Sequence, residues 1–472
     1  INVPNKNIIP PDNMKLIMLQ DILRNYFIPH VGKMFTEKSL FLSHMVKELI
    51  LVKLGVRNIT DKDNFMNKRV DTSGFLIGTI FRDLYFRVKN NLRDNLNRAY
   101  SSIKPTLKEA DLEWSKPLSE DSNRTQLDNF IGNEYSSISL ISINNLFQRH
   151  IIDDGFLYAF KNCWGLKNAR GCKQGIVQDL NRLSYLGYLS HLRRLNTTLP
   201  SGAKIRAPHS LNSSSYGIIC PSETPDGGNI GLRKNLAIMA KITFGTNSDS
   251  FMKLLHSLQM ISIYDIQKRN INSFTKIFLN EKIVGYHEYP NHLCHMLRLY
   301  KRNALINIYT SISWYVIDNI IKISTTSGRC CRPLLVVQNN KCLLTDEHIQ
   351  NIKTKKINWE HLIGGTRTLN HIHHKNKKPY IDDNNLLIEF NKKDYSYVSS
   401  KDMSLQECLE YYSGVIEYVD TEESNNSLIA LTPHDLEKST TSHYNYCEIH
   451  PTMLFGIIAN NIPLLERNQA PR

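Results

Sequence analysis

The chain has 472 residues, 41% hydrophobic and 22% charged, which is enough length and enough apolar content for several folded domains. Fifty-eight Lys and Arg stand against 44 Asp and Glu, a net charge of +14, so the favoured partners are polyanions whose condensed counterions can be released. Nine cysteines, isolated except for Cys330-Cys331 and without any Cys-x-x-Cys, exclude a thioredoxin motif and a paired zinc knuckle and suit a reduced, intracellular protein. No signal peptide or membrane-length apolar run is legible, so no membrane partner is expected.

In chain order, Leu16, Leu19, Ile22, Leu23, Tyr26 and Phe27 recur at helical spacing until Pro29 closes the run. A second helix is predicted from Leu40 to Leu54, with Gly55 as its stop. A third, Phe75 to Leu92, puts Phe75, Leu76, Ile80, Leu84 and Val88 on one side and Arg82, Arg87, Lys89 and Arg93 largely on the other. Residues 100–136, polar and with little periodicity, read as a linker or an exposed excursion. Helical signals return over 138–194, with Ile176, Leu180, Leu183 and Leu192. Between Asn196 and Gly231 the Pro, Gly, Ser and Thr content predicts loop. Thr275–Gly285 reads as strand, with a turn at Asn280-Glu-Lys282. Residues 351–403, rich in Lys, Asn, Asp and His, read as an exposed insertion, and Met453–Ala459 as an apolar, helix-like run near the end. The whole predicts a multidomain, mixed α+β protein.

Chemistry concentrates in Leu189-Ser-His-Leu-Arg-Arg194, Asn196-Thr-Thr-Leu-Pro-Ser-Gly202 and Tyr216-Gly-Ile-Ile-Cys-Pro-Ser-Glu-Thr-Pro-Asp-Gly-Gly-Asn-Ile-Gly-Leu232. His191, Arg193 and Arg194 end a helix-like run and could hold backbone phosphates without reading bases. Taken alone, the three side chains read rather as a C-terminal turn whose positive charges complement the helix dipole. The loop 221–231 packs two prolines and three glycines around Glu223 and Asp226, which implies a required shape; without a following Gly-Lys-Ser/Thr it is no P-loop. His443, Cys447 and His450 fall at i, i+4 and i+7, a spacing that could present three metal ligands on one helical face, although Pro451 follows directly. His371, His373 and His374 read as solvated loop residues. Asp153-Asp154 reads as a turn or helix cap, not an acid–base pair.

These stretches resemble the fork region of the second-largest, β-type subunit of multisubunit DNA-dependent RNA polymerases. Other segments resemble the same family in the same order. Asp61-Lys-Asp-Asn-Phe-Met-Asn-Lys-Arg-Val-Asp71 resembles the segment joining lobe to protrusion. Thr275-Lys-Ile-Phe-Leu-Asn280, Gly328-Arg329 and Arg332-Pro-Leu334 resemble its external modules. Asn445-Tyr-Cys-Glu-Ile-His-Pro451 and Asn468-Gln-Ala-Pro-Arg472 resemble the start of its hybrid-binding domain. The Cys-Glu-Ile-His-Pro spelling is closer to eukaryotic and giant-virus subunits than to bacterial ones. The resemblance implies the end of a lobe over 1–75, a returning part of the protrusion over 76–135, the fork over 136–245, external module 1 over 246–345, external module 2 with its insertion over 346–427, and the start of the hybrid-binding domain over 428–472. Ile1 at the first position adds the expectation of a fragment, or of one part of a divided subunit.

Residue by residue, the resemblance implies that Gln178, Arg193 and Arg194 line the RNA–DNA hybrid and the active-centre floor. Lys204 and Arg206, in the loop 196–208, would touch phosphate near downstream strand separation. Lys173, in Asn168–Lys173, would lie in the other fork loop near the upstream hybrid. Arg472 would touch the phosphates of the incoming nucleotide, a role that suits a planar guanidinium fork. Asn212 and Ser215 replace histidines usual before Tyr216, Asp226 replaces Glu, and Thr325-Thr-Ser precedes Gly328-Arg329, which puts local hydrogen bonding in doubt. The expected partners are the largest polymerase subunit and other subunits, template DNA, the RNA–DNA hybrid and the NTP. Mg2+ would be held mainly by the largest subunit, zinc is not expected here, and no catalytic residue is expected in this chain, which alone would be inactive. Two other classes compete: a stand-alone basic nucleic-acid-binding protein, and a metal-dependent hydrolase built on His443, Cys447 and His450.

Overall fold

The computed structural model describes residues 12–113, 150–161, 164–165, 175–197, 199, 205–265, 274–365, 405–438 and 443–469. The chain forms two compact units, one of residues 1–70, 185–195 and 204–472, the other of residues 71–184 and 196–203. Among the described residues, no helix is long and apolar enough to cross a membrane.

The larger unit opens with α1 (Asp12–Asn25) and α2 (Phe35–Lys53). Lys38, on the second turn of α2, is buried, and its ammonium donates to the carbonyls of Leu23 (2.7 Å), Arg24 (2.9 Å) and Phe27. Those are orphan acceptors at the end of α1, so one cation caps one helix from the next. Gly55, at φ 71°, ends α2 as its sequence position predicts.

The smaller unit is built on α3 (Ser73–Glu113) and α4 (Ile151–Lys161). Ile80, Leu84, Ala159 and Trp164 form its buried core, with Leu76, Ile152, Phe156 and Ile176 packed against it. Asp153 and Asp154 occupy the first turn of α4, where negative charge complements the helix dipole. Gly155 faces Leu84 so closely that a Cβ there would stand 2.2 Å from Leu84 Cδ2. Leu84→Ala is expected to cost about 2–5 kcal/mol. Gly155→Ala alone should also destabilise, by overpacking. Together they should cost less than the two losses added, because the methyl at 155 enters the space vacated at 84. Urea unfolding of the two single variants and the double variant measures this; strict additivity would contradict the contact.

After α4 the chain forms α5 (Tyr185–Leu192), β1 (Arg194–Asn196), β2 (Arg233–Asn235) and β3 (Lys241–Ile242); β1 and β2 form a two-stranded sheet. Next come α6 (Ser248–Ser257), β4 (Ile261–Ser262), β5 (Thr275–Leu279), β6 (Lys282–His287), α7 (Pro290–Arg302), β7 (Ser311–Tyr315) and β8 (Ile320–Ser324). The strands order as β4-β6-β5-β8-β7, with β5 parallel to β8 and antiparallel to β6. Asn280 and Glu281 both take positive φ, 50° and 67°, the backbone of a two-residue hairpin turn whose hand matches strand twist. One core buries Phe251 and Leu255 of α6 and Leu293 and Leu297 of α7 with Ile277, Ile312 and Ile321. Phe278, Ile283 and Ile320 pack with Leu40 and Phe41 of α2. Ion pairs Glu37–Lys282 (2.8 Å), Arg57–Glu48 and Arg57–Asp318 accompany that packing.

The last module assembles on β9 (Cys330–Gln338), followed by β10 (Lys341–Cys342), α8 (Asp346–Lys353), α9 (Trp359–Gly364), α10 (Leu405–Tyr411), β11 (Ile416–Asp420), α11 (Thr421–Asn425), β12 (Ile429–Ala430), α12 (Pro433–Lys438) and β13 (Tyr446–Cys447). Strand β9 pairs antiparallel with β3, β10, β11 and β13, and is buried at every position except Gln338. Proline is rare in a strand flanked on both sides, yet Pro333 sits in this one. The N–H groups of Val336 and Val337 go to opposite edges, to Val415 O and Asn445 O. By alternation position 333 faces the second edge, where the ladder is empty between the β3 and β13 registers, so its missing donor removes no bond.

Three expectations differ from the structure, the first over residues 100–113, read as the start of a non-helical linker but forming the end of α3 (Ser73–Glu113). Residues 351–365, the described start of the stretch read as an exposed insertion, bury Ile357, His361, Leu362 and Ile363 in the module's core; residues 366–400 and 401–404 lie outside the described residues. Met453–Ala459 is not a helix but 3-10 turns at Pro451–Leu454 and Ala459–Asn461, since Gly456 and Pro451 interrupt any regular run.

Candidate nucleic-acid interface

The cationic segment folds around the end of α5. Arg193 N donates back to Ser190 O (3.1 Å), and Leu236 N donates to Arg193 O (3.1 Å), so the chain turns from helix directly into β1. Arg193 then sends Nη2 inward, to Ala237 O (2.7 Å), Ala240 O (3.1 Å) and Ile238 O (3.3 Å). Burial lowers its pKa, and its Nε has no partner. Three carbonyls in one small loop make Arg193 an internal brace, which modifies the expected phosphate role. Arg193→Ala is therefore expected to lose about 1–3 kcal/mol of stability by orphaning those carbonyls. Arg194→Ala should leave stability within about 0.5 kcal/mol; thermal melts of the two variants compare them, and equal losses would contradict the division.

Arg194 points elsewhere. It is half-buried, its Nε has no partner, and it lines a cavity of about 220 Å³ with Glu223, Thr224, Asn235, Ile458 and Ile462. His191 lies close by; its pKa is lowered by burial, then by the positive charges of Arg194 and Arg233. Arg233 is half-exposed at the start of β2. The sequence reading missed it, although it directly precedes Lys234 in the stretch after Gly231-Leu232.

The Pro/Gly loop is pinned from inside. Glu223 accepts from Ser190 Oγ through Oε1, while its Oε2 is buried without a partner against Gly456, where a Cβ would come within 2.4 Å. Asn235 Nδ2 donates to Glu223 O (3.1 Å), and Thr224 Oγ1 bridges Arg233 O (3.1 Å) and Gly231 N (2.9 Å). Gly231, at φ 72°, passes so near His209 that a Cβ would fall 2.2 Å from its carbonyl oxygen. Asp226 accepts from Gly227 N (2.9 Å). Lys234 donates to Pro208 O (3.1 Å) and Gly231 O, fixing the turn Ala207–His209; Arg206, at the head of that turn, is exposed.

The residues that replace the usual histidines make their own bonds. Asn212 accepts from Ser214 N (3.0 Å) and donates to Asp61 (2.7 Å), and Ser215 Oγ donates to Asn212 O (2.6 Å). Ser214 Oγ accepts from Phe65 N (2.9 Å), so the stretch from Asp61 to Phe65 docks on this loop. Arg332 of β9 donates to both oxygens of Glu448 (2.6 and 2.8 Å) and stacks on the Tyr216 ring at 5.3 Å.

Of the remaining expected contacts, Gln178 belongs to the smaller unit and donates to Gly175 O (2.7 Å). Lys173, Lys204 and Arg472 lie outside the described residues, as do His371, His373 and His374. The helical metal face does not form: Cys447 is buried in β13, while His443 and His450 are exposed. Among the described residues, no group of three or more His, Cys, Asp or Glu is arranged to hold a metal ion.

Comparison with known proteins gives four matches in one order: the family models for RNA polymerase Rpb2 domain 2 at residues 4–71, domain 3 at 178–242, domain 4 at 277–338 and domain 5 at 409–451. The chain is 30% identical to DNA-directed RNA polymerase II subunit RPB2 of Encephalitozoon cuniculi, over 98% of this chain and 34% of that protein. It is 29% identical to DNA-directed RNA polymerase II subunit 2 of Arabidopsis thaliana (96% and 32%). It is 26% identical to DNA-directed RNA polymerase subunit Rpo2 of Sulfolobus acidocaldarius (96% and 33%). The chain thus spans about a third of the length of the curated relatives it matches.

Proposed function

Because the chain belongs to the family of second-largest subunits of DNA-directed RNA polymerases, we propose that it serves as the nucleic-acid-handling scaffold of such an enzyme. It would bind template DNA and the RNA–DNA hybrid and help position the incoming NTP. The largest subunit would hold Mg2+ and supply the metal-assisted nucleotidyl transfer. In this reading the chain contributes positioning and charge, not the reacting groups, and acts inside the cell within a multisubunit assembly.

The observation that carries the proposal is the colinear run of four domain matches, which brackets the Arg-bearing turn and its pinned loop. Arg194 and the exposed Arg206 would meet phosphates from a rigid base, which spares the ordering cost that a mobile loop would incur. Gln178, Lys173 and Lys204 would add contacts to the hybrid and to the separating strands, and Arg472 to the nucleotide. Affinity purification of the native chain tests the reading: a larger subunit with an Asp-rich metal loop should accompany it. Recovery as a lone monomer that still binds nucleic acid would favour the stand-alone basic binding protein.

A further inference from the structure

We infer that residues 405–448 form an acidic docking element keyed by charge to a basic face built from residues 290–332, an interface that holds without the stretch joining them. The sequence divides its charge sharply here. Residues 405–448 carry nine Asp and Glu against one Lys and no Arg, in a chain whose net charge is +14. Residues 290–332 carry six Lys and Arg against Asp318 alone, and Asp318 is taken by Arg57.

The fold mates the two sets in one direction. Glu417 meets Arg302 at 2.9 Å and Lys301 at 3.0 Å, and Lys301 also reaches Glu423 at 3.0 Å. Asp420 meets Arg329 at 2.7 Å, Glu448 meets Arg332 at 2.6 Å, and Glu422 meets Lys322 at 3.3 Å. The His295–Glu410 contact (3.1 Å) runs the same way. Among the described residues, each ion pair between the two stretches takes its cation from 290–332 and its acid from 405–448. Glu417, Asp420, Glu422 and Glu423 crowd one short run of chain, so without a basic neighbour they repel one another. The face of 290–332 removes that repulsion, and a neighbour of the wrong sign would add to it. Strand β9, which begins inside the basic stretch, then supplies the ladder for β11 and β13.

The residues that flank 366–404 come together closely. A Cβ on Gly365 would fall 2.0 Å from Tyr412 O, and one on Gly414 would fall 2.2 Å from Ile363 O. Val415 N donates to Leu362 O (2.8 Å), and Gly414 N donates to Arg302 O (2.9 Å). Both sides are thus held by backbone contact and by ion pairs, and the link adds only effective concentration. Lys301, Arg329 and Arg332, buried against carboxylates, are withheld from phosphate, so the positive surplus that favours polyanions is not offered by this face.

The test uses the full chain with a specific protease site placed inside 366–404. After cleavage without denaturant, the two pieces should stay together at micromolar concentration in size-exclusion chromatography; their separation overturns the inference. Dilution of the cleaved complex, followed by a fluorophore on the smaller piece, then measures affinity. Glu448→Gln leaves Arg332 buried without its acid and should weaken the cleaved complex at least roughly 30-fold. Adding Arg332→Met should recover part of that loss. Lys322 is partly exposed, so Lys322→Glu tests the charge key where folding is not at stake. It should weaken the cleaved complex about tenfold, and adding Glu422→Lys should restore it. If Glu448→Gln and Lys322→Glu both bind as tightly as the wild type, apolar packing alone holds the element and the charge key is overturned.

Discussion

Lys301→Met is expected to cost about 3–5 kcal/mol of folding stability, read as a fall in the urea midpoint. Lys301 is 1% exposed, with its ammonium 3.0 Å from Glu417 and 3.0 Å from Glu423, and Arg302 closes on the other Glu417 oxygen at 2.9 Å. Glu423 also accepts from Ile312 N (2.8 Å), so one lysine serves two carboxylates that hold α7, β7, β11 and α11 together. Methionine keeps most of the volume but leaves two buried acids short of a cation. The acids respond in opposite directions. Burial opposes ionisation of Glu417, yet Lys301, Arg302 and Arg298 hold its pKa down to about 2. Burial, with Asp420 and Glu417 nearby, pushes Glu423 up to about 7 despite Lys301. With a raised folded pKa, the Glu423 share of stability is full below its usual value near 4.5 and is lost as pH rises through about 7. With a depressed one, the Glu417 share is present above 4.5 and is lost as pH falls through about 2. The melting temperature of the wild type should therefore decline from pH 4.5 to 7 on account of Glu423, and Glu423→Gln should remove that decline; a parallel pH profile would contradict the assignment.

Arg472→Ala, in an assembled polymerase, is the second large effect. On the proposed reading the guanidinium meets the triphosphate of the incoming nucleotide, where charge redistributes as the bond to the leaving phosphate breaks. Losing one such donor typically lowers kcat by about 10²–10³. Single-turnover nucleotide addition on a preassembled scaffold isolates that step from assembly and template binding. A variant with normal addition but poor assembly or template retention would contradict the role.

The elements legible in the sequence are those whose signal is local. Gly55 stops α2 because it takes a left-handed φ, and the Asn280-Glu281 turn carries its own hairpin conformation. The Glu223–Gly231 loop announced a required shape through its prolines and glycines, and that shape is pinned by Ser190, Asn235 and Thr224. What stayed hidden depends on partners far along the chain. Lys301 reads as an ordinary charge near a helix end because Glu423 lies 122 residues away. Arg193 and Arg194 are adjacent and chemically identical, and only the return of residues 237–240 beneath the first makes it a brace. The stretch around His361 is polar in composition, but its few apolar residues are those facing the core.

Strand β9 has a consequence for the order in which the polypeptide can fold. Its first residues pair with a segment about 90 residues earlier, while Arg332 meets a carboxylate 116 residues later. A ribosome that has just released β9 has therefore made a buried, hydrophobic strand whose neighbours β11 and β13 are still to come. Such long closures are slow, and a bare strand edge invites pairing with other chains while it waits. Truncations ending before Cys447 should accordingly accumulate in aggregates, and synthesis that pauses between Gln338 and Ile416 should prolong dependence on chaperones.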